Sequence, residues 1–468
     1  RVPGRGSEIY TMKNEPRVTL TFTASLASGA TRELSVAPNS FVGDLQVAAE
    51  KAFEQGPLSL ASTDCQVLDS RLHLSAVPLR GGEHLTAVMS GHVELCSTVA
   101  AFVMYTKGQH GIYCWGSEKL GQVANRIPEQ LREVEVHFVA ATDYAFAAVN
   151  EHGRVITWGD RRYGGDSRHV QDQLVDVEEI QGTEGAFAAK RKDGQVILWG
   201  ARHKGGSTRQ DRLKEIQTIR STTTAFAAIT QDGHVIAWGD PDKGGDSRYV
   251  DDELEDVQEI VGTDAAFAAL RKDGHVITWG HDRYGGDTRY IRDQLTNVKS
   301  IQATGSAFAA IRKDGSVISW GNPSCGGDTF DVQDQLYDVN FIKGTKVAFA
   351  AIRADGTVIA WGDGRYGGDT STVADQLKDV QTLSSTDLAF AAVRANGTVV
   401  TWGDRFSGGK MDAEVKSQLV NVQKIHGSST AFAAILSNRK LVTWGDNEAG
   451  GQSEPKKHWL PWLFSVLS

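Results

Sequence analysis

The chain predicts a mainly β protein: a β-propeller, or an open propeller-like array, of units of about 41 residues behind a small α+β domain. Three observations predict it. Trp-Gly pairs begin at Trp115, Trp158, Trp199, Trp238, Trp279, Trp320, Trp361, Trp402 and Trp444, with gaps of 39 to 43 residues. A Phe stands 12 residues before each Trp (13 in the first copy), and all but the first sit in Ala-Phe-Ala-Ala. Residues 1–97 lack this period and order as strand, strand, helix, strand. A fixed period near 40 residues marks a propeller or solenoid, whose single unit cannot bury its apolar face alone.

Residues 1–16 read as a flexible N-terminus and 17–90 as the small domain. Val18-Thr19-Leu20-Thr21-Phe22-Thr23 alternates as a strand does, and Glu33-Leu34-Ser35-Val36 supplies a second. Asp44 is placed to N-cap a helix through Lys51-Ala52-Phe53. From Gln66 onward the chain gives a short strand, a loop and a final strand over His84–Met89. This order, with Leu68-Asp69 and Gly82-Glu83-His84-Leu85, resembles a ubiquitin-like β-grasp domain. Leu79-Arg80-Gly81-Gly82 matches ubiquitin's conjugation tail, but cleavage there would strip the last strand from the sheet. The pair reads as a turn. Residues 91–97 read as a linker.

The array spans 98–452. In the copy Asp256–Gly280, Ala266-Phe267-Ala268-Ala269-Leu270 and His275-Val276-Ile277-Thr278-Trp279 flank Asp273-Gly274. That is a hairpin, because the turn needs positive φ and Gly supplies it. Small Ala residues let sheets approach while Phe fills the gap, so Phe and Trp are core. A variable loop and a Gly-Gly pair follow, then a polar stretch ending in Leu295 or Leu377 and a strand such as Val298–Ile301. Each unit thus holds three strands, with room for a short fourth. The apolar tail, 453–468, is too short and too Pro-broken to cross a bilayer and is expected to pack on the last repeat.

A net charge of -9 gives no general attraction for nucleic acid or anionic membrane. Four cysteines without CxxC pairing or His company exclude a zinc module or disulfide framework and point to a cytoplasmic or nuclear setting. No signal peptide or membrane-spanning run is read. The chain opens on Arg1, which reads as a fragment or as a true start at Met12.

The phase Ala266–Gly280 with Tyr284-Gly285-Gly286 resembles the regulator-of-chromosome-condensation repeat over roughly 98–452. Its short period is most similar to the propeller-type β-lactamase inhibitor proteins. Two departures stand out. The family's Gly-Gln-Leu-Gly becomes Gly-Gly-Asp, with only Gly121-Gln122-Val123 of the first copy keeping it. The family ring usually has seven blades, and this chain has nine hairpins, so ring and open superhelix both stand.

Asp160, Asp240 and Asp363 after Trp-Gly, with Asp166, Asp246 and Asp369 after Gly-Gly, could ligate calcium. Ala201, Ser207 and Lys410 break that pairing, and Asp beside Gly is ordinary turn chemistry. No metal or cofactor is therefore expected. Basic hairpin tips such as Arg271-Lys272 and Arg312-Lys313 read chiefly as solvated turns. The variable loop carries Arg162, Tyr163, Arg283, Tyr284, Arg365, Tyr366, Arg405 and Phe406. Arg and Tyr anchor interfaces, so these are the candidate partner-binding residues, with packing between units the competing role.

No G-x-S-x-G, Walker loop, HExxH or Cys-His pair appears, so no enzyme is read. The expectation is a non-catalytic intracellular scaffold presenting variable loops to protein partners, with a link to ubiquitin signalling. The resemblance implies two alternatives: nucleotide exchange on a small GTPase, or substrate recognition within a ubiquitin ligase. The Gly-Gly-Asp change and the lack of a catalytic domain count against both.

Overall fold

Phe and Trp of each repeat meet inside one three-stranded antiparallel sheet, and a computed structural model holds nine such sheets in chain order. It describes residues 20–26, 31–36, 45, 48–49, 52, 58–61, 84–89, 93–98, 101–106, 112–116, 127–132, 134–208, 213–437, 441–447 and 451. The chain divides into two units, one with residues 1–92 and 455–468 and the other with 93–454.

In the second unit the first sheet is Val93–Ser97, Ala101–Thr106 and Ile112–Gly116. The ninth is Val422–Gly427, Ala431–Leu436 and Leu441–Gly445. The expected linker 91–97 therefore contains a strand. Leu95 is its core residue, buried against Ala431, Ala433 and Ile435, and a linker would leave it exposed. The middle strand carries the Ala-Phe-Ala-Ala run, which is fully buried in the second through ninth sheets. There Phe stacks on Trp with centroids 5.1–5.3 Å apart and ring planes 22–30° from parallel.

Neighbouring sheets are joined by backbone as well as by rings. Trp199 Nε1 donates to Gly164 O at 2.9 Å, Trp279 to Gly244 at 3.0 Å and Trp444 to Gly408 at 3.1 Å. At the opposite end of the second through eighth sheets the hairpin tip docks on the start of the next one. Ile216 N donates to Gly194 O at 3.0 Å, and a Cβ on Gly194 would lie 3.0 Å from Glu215 Cα. Gly194 has φ +76°, so both the turn and the approach require glycine. The residue entering the next sheet is itself left-handed: Asp176 at φ 51°, Asn297 at 56°, Asp379 at 56°. Asp and Asn tolerate that conformation better than most residues.

No fourth strand forms among the described residues of any repeat. The stretch expected to hold it folds into two short 3-10 turns, Asp282–Tyr284 and Arg292–Gln294 in the copy after the fifth sheet. A side-chain cap at the first turn and a left-handed Gly285 behind it favour turn over strand.

The first and ninth sheets meet as neighbours do. Between consecutive sheets Ser221 Oγ donates to Gly182 O at 2.8 Å, and Ser385 Oγ to Gly344 O at 2.7 Å. Ser97 Oγ donates in the same way to Gly427 O at 3.4 Å, and Lys424 pairs with Glu94 at 2.5 Å. The end sheets each take all three described strands from their own segment. Thus the propeller is not closed by strand exchange, and side chains make the seam.

The first unit holds a four-stranded sheet in the order Thr31–Val36, Leu20–Leu26, His84–Met89, Leu58–Ala61. Leu20–Leu26 runs parallel to His84–Met89, and the other pairs are antiparallel. Leu45, Ala48, Ala49 and Ala52 are helical, and Leu45 and Ala49 are buried, as are Phe22, Leu34 and Leu85. Leu58–Ala61 was not read as a strand, since an alternation of only four residues is too short to stand out. The expected strand after Gln66, Leu79-Arg80-Gly81-Gly82, Gly121-Gln122-Val123, the N-terminus 1–16 and the tail 453–468 lie outside the described residues.

Candidate protein-binding surface

In most of the described copies the loop after Trp-Gly is fixed at both ends. In the copy after the second sheet Asp160 caps the turn by accepting from Arg162 N at 2.8 Å. Gly164 follows at φ +94°, and a Cβ there would sit 2.7 Å from the Phe187 ring of the next sheet. Glycine is therefore dictated by the ring beneath it. Between these fixed points the side chains vary from copy to copy.

The sequence-derived residues occupy this turn and divide by chemistry. Arg162 and Arg365 are exposed and ion-paired within their own turns, to Asp160 at 2.6 Å and Asp363 at 2.8 Å. Their hydrogen bonds hold the Asp160 and Asp363 carboxyls below the usual range. Arg283 is exposed, with its backbone N–H held by His281 Nδ1 at 3.2 Å. The tyrosines face inward. Tyr163 is half-buried, edge-on to Tyr144 at 4.7 Å, with Lys204 Nζ of the next turn 5.4 Å from its centroid. Tyr284 is half-buried beside His281 at 5.2 Å, and Lys243 Nζ of the preceding turn lies 5.8 Å from its ring. Tyr366 is half-buried under its own Arg365, whose Cζ is 5.2 Å from the ring. Arg405 and Phe406 are both exposed. Tyr163 and Tyr284 thus contact neighbouring turns.

A second segment, missed in the sequence, presents rings outward. It follows Gly-Gly and reads Asp166-Ser167-Arg168-His169-Val170 in one copy. Later copies read Asp246-Ser247-Arg248-Tyr249-Val250, Asp287-Thr288-Arg289-Tyr290-Ile291 and Asp328-Thr329-Phe330-Asp331-Val332. Its floor is anchored. Ser167 Oγ lies 3.0 Å from Thr157 Oγ1, Gln171 Nε2 donates to Val155 O at 2.9 Å, and Val170 packs into the sheet core. The Asp accepts from the backbone N–H two residues on, as Asp328 does from Phe330 at 2.9 Å. Where that residue is Arg, its guanidinium returns to the same carboxylate: Arg168–Asp166 at 2.7 Å, Arg248–Asp246 and Arg289–Asp287 at 2.6 Å. Arg168 thereby pulls the Asp166 carboxyl down to about 2. Tyr249, Tyr290 and Phe330 are then left 80%, 92% and 86% exposed, whereas most large apolar side chains among the described residues are buried. A signal was present in three copies: an aromatic between the Asp that follows Gly-Gly and a β-branched residue four positions later.

The basic hairpin tips are matched locally. Arg191 pairs with Asp193 at 3.1 Å, Arg271 with Asp273 at 3.3 Å and Arg353 with Asp355 at 3.0 Å. Among the described residues no group of three His, Cys, Asp or Glu side chains is placed to hold a metal ion.

Turns between first and middle strands form a third feature. Their backbones link in series, Asp143 N to Glu184 O, Glu184 N to Thr223 O, Thr223 N to Asp264 O, and on to Asp387 N with Ser429 O, at 2.8–3.2 Å. Lys204 pairs with Glu184 at 2.7 Å and Lys346 with Asp387 at 2.8 Å. Burial raises Asp143 to about 6, with Glu184 adding to the rise and Lys204 and Lys346 opposing it. An acid raised above its ordinary 3.8 favours the folded state only while protonated, so its contribution fades as pH climbs through about 6. Asp143→Asn is expected to stabilise the chain by about 1 kcal/mol at pH 8, after discounting for solvent access. Near pH 4 the gain should vanish. Thermal melts of both forms at the two pH values check this, and a gain that persists in acid would rule out the ionisation argument.

No protein-family model matches the chain, and no curated protein does. Solved structures match loosely. Prp20p from Saccharomyces cerevisiae is 17% identical over 59% of this chain and 83% of its own, with a TM-score of 0.36. The ectodomain of the Physcomitrella patens receptor kinase CR4 is 14% identical over 58% and 72%, with a TM-score of 0.36. Human WBSCR16 is 14% identical over 65% and 88%, with a TM-score of 0.35. At such values the surface has to be read from this chain's own residues.

Proposed function

We propose that the chain is a non-catalytic scaffold, a ubiquitin-like domain followed by a regulator-of-chromosome-condensation-type array that docks protein partners through its loops. One observation carries the reading. An invariant frame of Phe, Trp and Gly holds solvent-facing side chains that differ between copies at one geometric position: His169, Tyr249, Tyr290 and Asp331. Rigid elements presenting varied loops are suited to recognition, because little order is lost on binding. The loop carboxylates Asp160, Asp166, Asp246, Asp287 and Asp363 are occupied by caps and guanidinium pairs, which favours architecture over acid–base work. The parallel pairing of Leu20–Leu26 with His84–Met89 supports the β-grasp assignment. Cys96 and Cys325, which carry no disulfide, fit a reducing, intracellular setting.

The test is affinity capture with the full chain, comparing wild type with Tyr249→Ser/Tyr290→Ser/Phe330→Ser at matched thermal stability. A protein captured by wild type and reduced at least about 10-fold by the triple change places binding on this segment. Undiminished capture removes the site from it.

A further inference from the structure

Resting on that reading, we infer that the exposed aromatic strip Tyr249, Tyr290 and Phe330 docks a lysine- or arginine-rich segment of a partner protein. Three observations meet here. Tyr249 and Tyr290 hold equivalent positions on loops 41 residues apart, and the short turns behind them are tied by the Arg292–Glu253 ion pair. Phe330 holds the adjacent position, one residue earlier in register, on the loop that follows. The rings thus stand on three consecutive loops, each anchored from below.

The charge around the rings is acidic. Asp251, Asp252 and Glu253 form one turn that starts after Val250, the residue next to Tyr249, and Asp328, Asp331 and Asp334 flank Phe330 in the chain. Asp252, Asp331 and Asp334 are exposed and have no cationic partner among the described residues. The basic residues of the strip are already engaged: Arg248 on Asp246, Arg289 on Asp287, Arg292 on Glu253. The unmatched charge is therefore negative, beside aromatic faces. A guanidinium or ammonium meets both at once, with the ring quadrupole attracting the cation and the carboxylate neutralising it.

Shape points the same way. Beside Phe330 lies a groove of about 250 Å³ whose lining includes Phe330, Asp331, Val332, Ala360 and Trp361. Its apolar wall suits the methylene stem of Lys or Arg, and Asp328 and Asp331 on its rim suit the charged head. Nucleic acid and anionic membrane carry the wrong sign. A second copy of this chain, at net charge -9, would bring like charge to the strip.

The experiment is fluorescence anisotropy on the full chain, with a short labelled peptide of alternating lysine and serine and its glutamate–serine counterpart. The lysine peptide should bind wild type and the glutamate peptide should not. Tyr249→Ser/Tyr290→Ser/Phe330→Ser should weaken the lysine peptide at least about 10-fold, with an unchanged thermal melt. Asp252→Asn/Asp331→Asn/Asp334→Asn should weaken it similarly, the rings being intact. Equal lysine-peptide affinity in wild type and the ring variant would reduce the effect to bulk charge and overturn the inference. So would tighter binding of the glutamate peptide. If either occurs while cellular capture still depends on the three rings, the scaffold reading stands and only the cationic partner falls. If capture is also independent of the rings, both fall.

Discussion

Replacing Phe308 by alanine is expected to lower the unfolding free energy by about 3–5 kcal/mol, toward the upper end of that range. The ring is fully buried and stacks on Trp320 at 5.2 Å within its own sheet. It also reaches out of that sheet, packing in one cluster with Ala266, Ala268 and Leu270 of the preceding sheet. Gly285 lies directly over it, so close that a Cβ there would come within 2.7 Å of the ring. One side chain thus fills the space between two sheets and a loop. Collapse into the vacated volume is obstructed, because the alanines around it have nothing longer to offer and the hydrogen-bonded strands hold their spacing. Because a repeat array is coupled mainly through nearest neighbours, the fifth and sixth sheets should open first. Urea unfolding of the full chain measures the total, and amide exchange shows where protection is lost. A loss below about 1 kcal/mol would mean the interface repacks, and the inter-sheet role assigned to the ring would be wrong.

The repeat was legible because its signals are local. The Asp-Gly tip announces the hairpin by backbone conformation alone, and Gly194 and Gly274 adopt the positive φ that this needs. Phe187 and Trp199 announce a core pair through their fixed spacing, and they stack. What could not be read were contacts made across sheets. Tyr163 and Tyr290 are alike in sequence, each preceded by Arg and close to Asp and Gly. One is half-buried by Lys204 and Tyr144 from other turns, whereas the other stands in solvent. Tyr163 precedes its Gly-Gly and Tyr290 follows one, but that placement does not by itself say which of the two turns a neighbouring turn covers. The first strand, Val93–Ser97, was missed for a similar reason. Its burial comes from Ala431 and Ala433, more than three hundred residues away in the chain.

Gly182→Ala is expected to destabilise the array by about 2–3 kcal/mol, although a methyl group is all that is added. A Cβ on Gly182 would stand 2.1 Å from Ala141 O, a backbone atom that cannot rotate away. The position belongs to an alternating series along consecutive first strands: Ala141, Gly182, Ser221, Gly262, Ala303, Gly344, Ser385, Gly427. Every second member is glycine, and each glycine abuts its predecessor, with a Cβ falling 2.5 Å from Ser221 O at Gly262 and 2.1 Å from Ser385 O at Gly427. The intervening serines use the wider junctions, reaching back with Oγ to Gly182 O and Gly344 O. Tight and wide junctions therefore alternate along the array. Nine is odd, so the alternation cannot run through every junction: Ser97 follows Gly427 at the seam, and Ala141 follows Ser97 with no glycine between them. The control is Ser221→Ala, which removes one hydrogen bond at a wide junction and should cost about 1 kcal/mol. Parallel melts decide between them. If Gly182→Ala is no worse than Ser221→Ala, neighbouring strands can part by the needed fraction of an ångström, and the alternation does not limit their approach.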